Sequence, residues 1–547
     1  MPTNAAPDVV SPYEPSFTAR VGMADGTELA TDVYLPLGAR GRGHSVALIR
    51  TPYGRRGEID AVPDTAGLLN DAGIAVVAQD VRGKFESGGE RLPFVHESAD
   101  GHGTLDWIAA QPWSAGAVVP LGASYTGFTA WAAASTRHAS LRGAVVRATT
   151  CHIPTEWLYR QGLFRLQMNG QWALFAWGGA ELEPAEPEWG AAPLAEVTHG
   201  EGDDCHLRHW LRTPPESAWW TEHNLAGPSI LSRRVEVPVL HWSGWWDVLA
   251  RGQLRDFAQL AGASDAGDQR LIMSATDHDF HPYADVVAGP LGPLSRPARR
   301  PGVDVDFGPA LDFLRTVLRG DRPGGGVRWE LTHDGWHTSP TWPPPTRHTV
   351  QLFLADGGHA GYGPEGGALA HRPDTVPMVI GWTHDPANPV PSLERFVWGT
   401  LAHDYPDERD AQIRDDVLTF SSQPAVEPLD IVGPVHVRLR THASAPAAQL
   451  ALTLSDVHPD GRTLRIVEGG CLVREAADWQ QVEIDLGPTA FRLQPDHRLR
   501  LSIAGSAFPR YLDARGPGRD PWSDGPRPPV EQRIQLRGAL LELSVLD

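Results

Sequence analysis

An α/β protein carrying a second, all-β domain is the fold class this sequence predicts, and three observations predict it. Apolar strand-length runs alternate with helix-length segments over residues 1–150 and again over 236–346, the rhythm of a parallel sheet covered on both faces. Within that rhythm, Val118-Val119-Pro120-Leu121 runs through Gly122-Ala123-Ser124-Tyr125-Thr126-Gly127 into the Ala-rich segment Phe128 to Ala134, which reads as strand, sharp turn and helix. Beyond Trp342-Pro343-Pro344-Pro345 the helix signal nearly vanishes, and short alternating strands continue to Asp547, as in a sandwich or jelly roll.

Bulk properties narrow the function. A chain of 547 residues exceeds what one hydrophobic core serves, so two or three domains are expected. Apolar content of 41% and charged content of 21% belong to a globular protein. A formal charge of −20 repels a phosphate backbone, which argues against nucleic acid and anionic membranes as partners. The three cysteines, Cys151, Cys205 and Cys471, are odd in number and far apart; they suggest neither a disulfide framework nor a zinc site and fit a reducing compartment. The N-terminus lacks the basic start and apolar run of a secretion signal, and no run is long enough to span a bilayer, so a cytoplasmic location is expected.

Taken in order, Phe17 to Pro36 reads as a β-hairpin turning at Met23-Ala24-Asp25-Gly26-Thr27. Ser45 to Arg50 is a strand, and Tyr53 sits just past its end, at the edge where α/β sheets bind ligands. A helix over Leu68 to Ala72 precedes the buried strand Ile74 to Gln79 and the polar loop Asp80 to Gly89, whose spacing fits neither nucleotide-binding fingerprint. Ala99 to Ala110 is helical, Gln111-Pro112-Trp113-Ser114 breaks it, and Leu141 to Arg147 is a further strand. Residues 151–235 are rich in tryptophan and predict an inserted cap over the strand ends, with most of those rings in its core. The parallel pattern resumes with Val237 to Trp242, running into Ser243-Gly244-Trp245-Trp246-Asp247, and with Gln269 to Ser274, running into Ala275-Thr276-Asp277-His278-Asp279-Phe280-His281.

Nucleophilic acyl transfer needs a hydroxyl, an imidazole to take its proton and a carboxylate to orient the imidazole. With the serine on a strand-to-helix elbow, the expected chain order is serine, acid, histidine, each after a successive strand. Ser124, Asp247 and His278 satisfy it. The elbow departs from the usual spacing, with its second glycine one position late, at Gly127. Asp256, inside a helical segment, is the weaker acid, and His281 is the rival base. The cluster Asp277 to His281 also invites a metal reading, against which neighbouring loop residues seldom point to one centre. Trp157, Trp172, Trp245 and Trp246 are candidate pocket walls. The N–H of Tyr125, next to the serine at the helix start, is a candidate donor to an oxyanion.

The chain resembles the CocE/NonD hydrolases, cocaine esterase-like enzymes related to X-Pro dipeptidyl-peptidases and α-amino acid ester hydrolases. The resemblance is carried by Pro52-Tyr53, Gln79-Asp80-Val81-Arg82-Gly83, Gln111-Pro112-Trp113-Ser114, the Ser124 elbow, Gly244-Trp245-Trp246-Asp247 and Asp277-His278. In the β domain it continues through Asp385 to Pro391, Asp416-Val417-Leu418, Asp456 to Arg462 and Ser506 to Arg510. It implies an α/β-hydrolase domain with a helical cap and a C-terminal jelly roll, with Ser124 as nucleophile, Asp247 as acid, His278 as base, and the Tyr53 hydroxyl with the Tyr125 N–H as oxyanion hole. Trp246 stands where the family often has tyrosine, and Val119-Pro120 where it more commonly has Gly-Met, departures that bear on substrate choice.

The resulting expectation is a serine hydrolase acting on a small-molecule ester or amide, with no cofactor and no metal, and with a homo-oligomer left open. An X-Pro aminopeptidase or α-amino acid ester hydrolase would need a carboxylate cluster in the cap, for which Glu156, Glu181, Glu183, Glu186 and Glu188 are available. An inert carbohydrate-binding protein is the reading from a different class.

Overall fold

The computed structural model describes residues 14–37, 43–57, 59–177, 189, 206–225, 235–263, 267–283, 307–361, 363, 366–374, 378–393, 405–513 and 528–547. The first strands are β1 (Phe17–Gly22), β2 (Glu28–Tyr34), β3 (His44–Thr51), β4 (Ala75–Asp80), β5 (Ser114–Ala123) and β6 (Ala144–Arg147). After a small hairpin of β7 (Tyr159–Arg160) and β8 (Leu163–Phe164) come β9 (Val239–Trp246), β10 (Gln269–Asp277), β11 (Gly326–Leu331) and β12 (Gly335–Ser339). Apart from β7 and β8 these form one sheet of ten strands, in the order β1-β2-β4-β3-β5-β6-β9-β10-β11-β12. From β4 to β11 every neighbouring pair is parallel, and the edge pairs β1–β2, β2–β4 and β11–β12 are antiparallel.

Helices cover both faces, which is why β3 and β4 read as continuous apolar runs. On one face α1 (Val62–Asp71) and a late helix, Gly308–Leu318, pack Leu69, Phe313 and Leu314 against Ile49, Leu121 and Leu240. On the other, α2 (Glu97–Ala109) and α3 (Ser124–Ala134) set Leu105, Ile108 and Ala133 against Val46, Leu48 and Val118. The sheet order reverses between β3 and β5, because β4 lies on one side of β3 and β5 on the other. Such a switch point opens a crevice at the carboxyl ends of its strands, and there stand Tyr53, after β3, and Ser124, after β5.

Two strands run further than their apolar pattern indicates. β9 extends through Trp246 and β10 through Asp277, so Ser243 to Trp246 and Ala275 to Asp277 belong to the sheet rather than to loops. Pairing between the two continues past an irregularity to Asp277 opposite Trp246. Gly244 permits this close approach, since a Cβ there would lie 2.2 Å from the Thr276 carbonyl oxygen.

In the inserted segment the described residues form a π-helical turn, Ile153–Leu158, the β7–β8 hairpin, α4 (Leu166–Trp172) and two short helices, His206–Arg212 and Ala218–Glu222. Trp157, Trp172, Trp177, Trp189, Trp210 and Trp220 are all buried there. Glu181, Glu183, Glu186, Glu188 and Cys205 lie outside the described residues.

Among its described residues the C-terminal domain has ten strands, beginning at Arg347–Ala355 and ending at Val530–Leu546, and one short helix, Arg409–Gln412. The long strands Leu429–Ala443 and Val530–Leu546 pair with each other and hold the remainder together. The strand Thr463–Arg474 has little alternation to betray it, because Gly469-Gly470 interrupts the pattern. Trp245 and Trp246, expected as pocket walls, line a small cavity beside Asp247 and also hold the end of β9 to its surroundings. The Trp245 indole N–H donates to the Glu330 carbonyl at 2.7 Å, and that of Trp246 donates to the Arg465 carbonyl at 3.2 Å. Trp246 also stacks on Tyr283 at 4.0 Å. Because β9 continues as a strand to Trp246, these side chains stand on sheet faces that the β domain covers. Among the described residues no helix is long and apolar enough to cross a membrane.

A buried histidine on β9 makes the fold acid-sensitive. His241 is fully buried, with Nε2 donating to Gln269 at 2.9 Å and Nδ1 accepting from Gln253 at 3.3 Å. Burial, opposed by the Gln269 bond and the Asp256 charge, lowers its pKa to about 4. In the unfolded chain it titrates near ~6.5. The unfolded state therefore binds the extra proton as pH falls through this window, and stability is lost there, by on the order of 3 kcal/mol at most. Urea unfolding of wild type and His241→Gln at about pH 7 and about pH 4.5 should show the smaller pH dependence in the variant; equal dependence would exclude His241 as the cause.

Candidate active site

Ser124 opens α3 with φ of 55°, in the left-handed region that β-carbon sterics disfavour. Such backbone persists only where the surroundings over-determine it. Here the chain doubles back so tightly that a Cβ on Gly122 would lie 2.4 Å from the Thr126 carbonyl, so a glycine is required two residues before the serine. Thr126 occupies the position that is glycine in the more usual elbow. Its hydroxyl donates to Asp60 Oδ2 at 2.7 Å, and Thr51 donates to the same oxygen. Burial raises the Asp60 pKa, against the lowering effect of those two hydroxyls.

Three side chains from three strand ends meet above this turn. His278 Nε2 lies 3.1 Å from Ser124 Oγ, and His278 Nδ1 lies 2.7 Å from Asp247 Oδ1. All three residues are buried. Asp247 is held by the Leu249 N–H at 2.9 Å on Oδ1 and by the Ser243 hydroxyl on Oδ2. With Nδ1–H directed at the carboxylate, the Nε2 lone pair faces the serine hydroxyl. Burial pushes the His278 pKa down, but the charge and hydrogen bond of Asp247 outweigh it and the net shift is upward.

Tyr53 is fixed by its N–H donating to Thr51 Oγ1 at 3.0 Å. Its hydroxyl accepts from the Trp172 indole N–H at 3.0 Å and interacts with the Ser124 side chain. Burial pushes the phenol pKa far up, so the group stays a donor. Tyr125 contributes differently. Its phenol is turned inward, donating to Glu97 at 2.7 Å and accepting from the Phe94 N–H at 2.8 Å, and Glu97 is paired with Arg50 at 2.9 Å. What Tyr125 offers the crevice is its backbone N–H in the first turn of α3, where no intrahelical acceptor exists.

Other sequence candidates fall elsewhere. Asp256 accepts from the N–H of Cys151 at 3.1 Å and its thiol at 2.9 Å and lies 3.2 Å from His152 Nε2, so it serves that cluster rather than His278. His281 pairs with Asp277 at 3.4 Å. In the polar loop after β4, Arg82 binds Asp100 and Asp25 and Asp80 binds Arg55, which makes the loop a strut. Glu156 is taken by Arg251 and Arg255. Trp157 and Trp172 share a buried cluster with Tyr53 and Tyr125. A cavity of about 90 Å³ touches Asp247, Trp245 and Trp246 from the β-domain side, without Ser124 or His278 in its wall. Sequence reasoning missed Asp60, Ser243 and the Trp172–Tyr53 bond; only Ser243, a polar residue in an apolar strand four positions before Asp247, left a local signal.

Residues 25–279 match the X-Pro dipeptidyl-peptidase (S15 family) domain, and residues 323–538 match the X-Pro dipeptidyl-peptidase C-terminal non-catalytic domain. Cocaine esterase of a Rhodococcus species is 27% identical over 545 residues, covering 91% of this chain and 92% of its own. An aminopeptidase from a marine sediment Thaumarchaeota archaeon superposes with TM-score 0.79 at 20% identity, covering 100% of this chain and 98% of that one. An α-amino acid ester hydrolase gives 0.76 at 22% identity, with the same coverage. A CocE/NonD family hydrolase from Staphylococcus aureus gives 0.68 at 15% identity, covering 97% and 93%. The structural likenesses establish the fold; the two consecutive domain matches, with a full-length relative, establish that the chain belongs to the S15/CocE-type family of serine hydrolases.

Proposed function

We propose that this protein hydrolyses a small-molecule ester or amide through an acyl-enzyme on Ser124, with His278 as base, Asp247 as the carboxylate that orients it, and the Tyr53 hydroxyl and Tyr125 N–H as oxyanion donors. The observation that carries the reading is the continuous relay Ser124 Oγ–His278 Nε2 at 3.1 Å and His278 Nδ1–Asp247 Oδ1 at 2.7 Å. Ser124 Oγ attacks the carbonyl carbon as its proton passes to Nε2, and the carbonyl electron pair moves to the oxygen. Collapse expels the leaving group, which takes the proton from Nε2. Water then repeats the sequence on the acyl-enzyme, releasing the acid and the free serine. Protons and electron pairs balance within these residues.

Residues 1–150 with 236–346, 151–235 and 347–547 are our division into hydrolase domain, cap and β domain. Among the described cap carboxylates Glu156 is bound by Arg251 and Arg255 and so is not offered to a substrate ammonium group. An intact relay speaks against an inert carbohydrate-binding protein. Cys151 and Cys471, both free and buried, support a reducing, cytoplasmic setting.

Turnover of p-nitrophenyl acetate should fall at least ~10⁴-fold in Ser124→Ala; equal rates would remove Ser124 from the chemistry. Tyr53→Phe should lower kcat by about 10²–10³-fold while the protein remains folded, and an unchanged kcat would dismiss it as a donor. The base acts only when neutral, so activity is lost as pH falls through the His278 pKa. Because that pKa is raised, the acid limb of kcat/KM should have its midpoint above ~6.5. In Asp247→Asn the residual activity should titrate lower, since burial is then opposed only by the charges of Asp279 and Asp277; a midpoint unmoved by that change would contradict the assignment.

A further inference from the structure

We propose that Trp172 is a positioning residue for the oxyanion hole, through which the cap completes the centre, rather than a wall of the substrate pocket. The inference rests on the reading of Tyr53 as an oxyanion donor and goes beyond it, to what aims that donor.

Trp172 is the last residue of α4 and is only 1% exposed, so its ring offers almost no surface to a ligand. Its one polar atom, Nε1, is spent on the Tyr53 hydroxyl at 3.0 Å. A phenol oxygen carries one proton and accepts at its lone pairs. With the indole N–H on the oxygen, the hydroxyl proton must point away from the indole, which leaves it for the other side chain that interacts with this hydroxyl, Ser124. The donor is thereby aimed before charge develops, which is what makes an oxyanion hole effective without reorganisation. A hydrogen bond received by a hydroxyl also strengthens the one it gives, because the two dipoles polarise each other.

The indole is itself held rigidly. Trp210 stacks on it at 5.5 Å and 8°, and Trp157, Phe94 and Tyr125 pack around it at 5.6, 5.5 and 5.6 Å. The same ring thus touches the residue supplying the side-chain donor and the residue supplying the backbone donor. Trp172 belongs to the cap, whereas Tyr53 and Tyr125 belong to the hydrolase domain, and 119 residues separate Trp172 from Tyr53. Seating of the cap and readiness of the oxyanion hole are accordingly one event.

The test is a double-mutant cycle on p-nitrophenyl acetate with wild type, Trp172→Phe, Tyr53→Phe and the double variant. Trp172→Phe keeps an aromatic ring and removes the N–H. It should lower kcat about tenfold with KM nearly unchanged, and should cost nothing further in the Tyr53→Phe background. An equal loss in both backgrounds, a change confined to KM, or no change would overturn the positioning role. If Trp172→Phe unfolds, replacing Trp172 with benzothienylalanine, which keeps the bicyclic shape without the N–H, applies the same criteria. Failure of the underlying reading is seen separately, as full activity in Tyr53→Phe or Ser124→Ala.

Discussion

A serine held at φ of 55° between a buried strand and a buried helix is the constraint on which the rest of this molecule depends. The conformation costs roughly 1–3 kcal/mol, and the fold meets that cost with packing: every residue of α3 is buried, and β3, β5 and β6 fix the strand ends beside it. The strain sets the hydroxyl at the mouth of the sheet and turns the next N–H toward the same space. Thr126, where a second glycine is more usual, is held by its bond to Asp60.

Around that point the structure places charge sparingly. Asp247 is buried yet engaged by Ser243, Leu249 and His278, so it can balance an imidazolium without water. Tyr53 and Tyr125 remain neutral phenols with very different tasks, one facing Ser124 and the other locked to Glu97 and Phe94. The β domain bears on the same centre from behind. Trp246, immediately before Asp247, is bonded to the Arg465 carbonyl of that domain, and Trp245 to the Glu330 carbonyl of β11 in its own sheet, so the segment leading to the carboxylate is held from two sides.

Much of this was legible in the sequence for a physical reason: residues that work at the edge of a parallel sheet follow strand ends, and strand ends are visible as apolar runs closing in polar residues. Ser124, Asp247 and His278 stand out in this way. The extents of β9 and β10 were not legible, because their last residues are strands only by virtue of pairing with each other, and the side each tryptophan faces follows from that pairing. The strand Thr463–Arg474 was hidden by its own glycines. Tyr53 was distinguished by family resemblance rather than by its surroundings, and its bond to Trp172 joins segments that no local pattern connects.

Activation of the Ser124 hydroxyl by His278, 3.1 Å away, is the step that everything proposed for this protein requires. Labelling with a fluorophosphonate probe, followed by peptide mapping, tests it directly. One adduct is expected, on Ser124, formed rapidly in the wild type and nearly abolished in folded His278→Ala. No adduct, an adduct on another residue, or equal labelling of both proteins would contradict it.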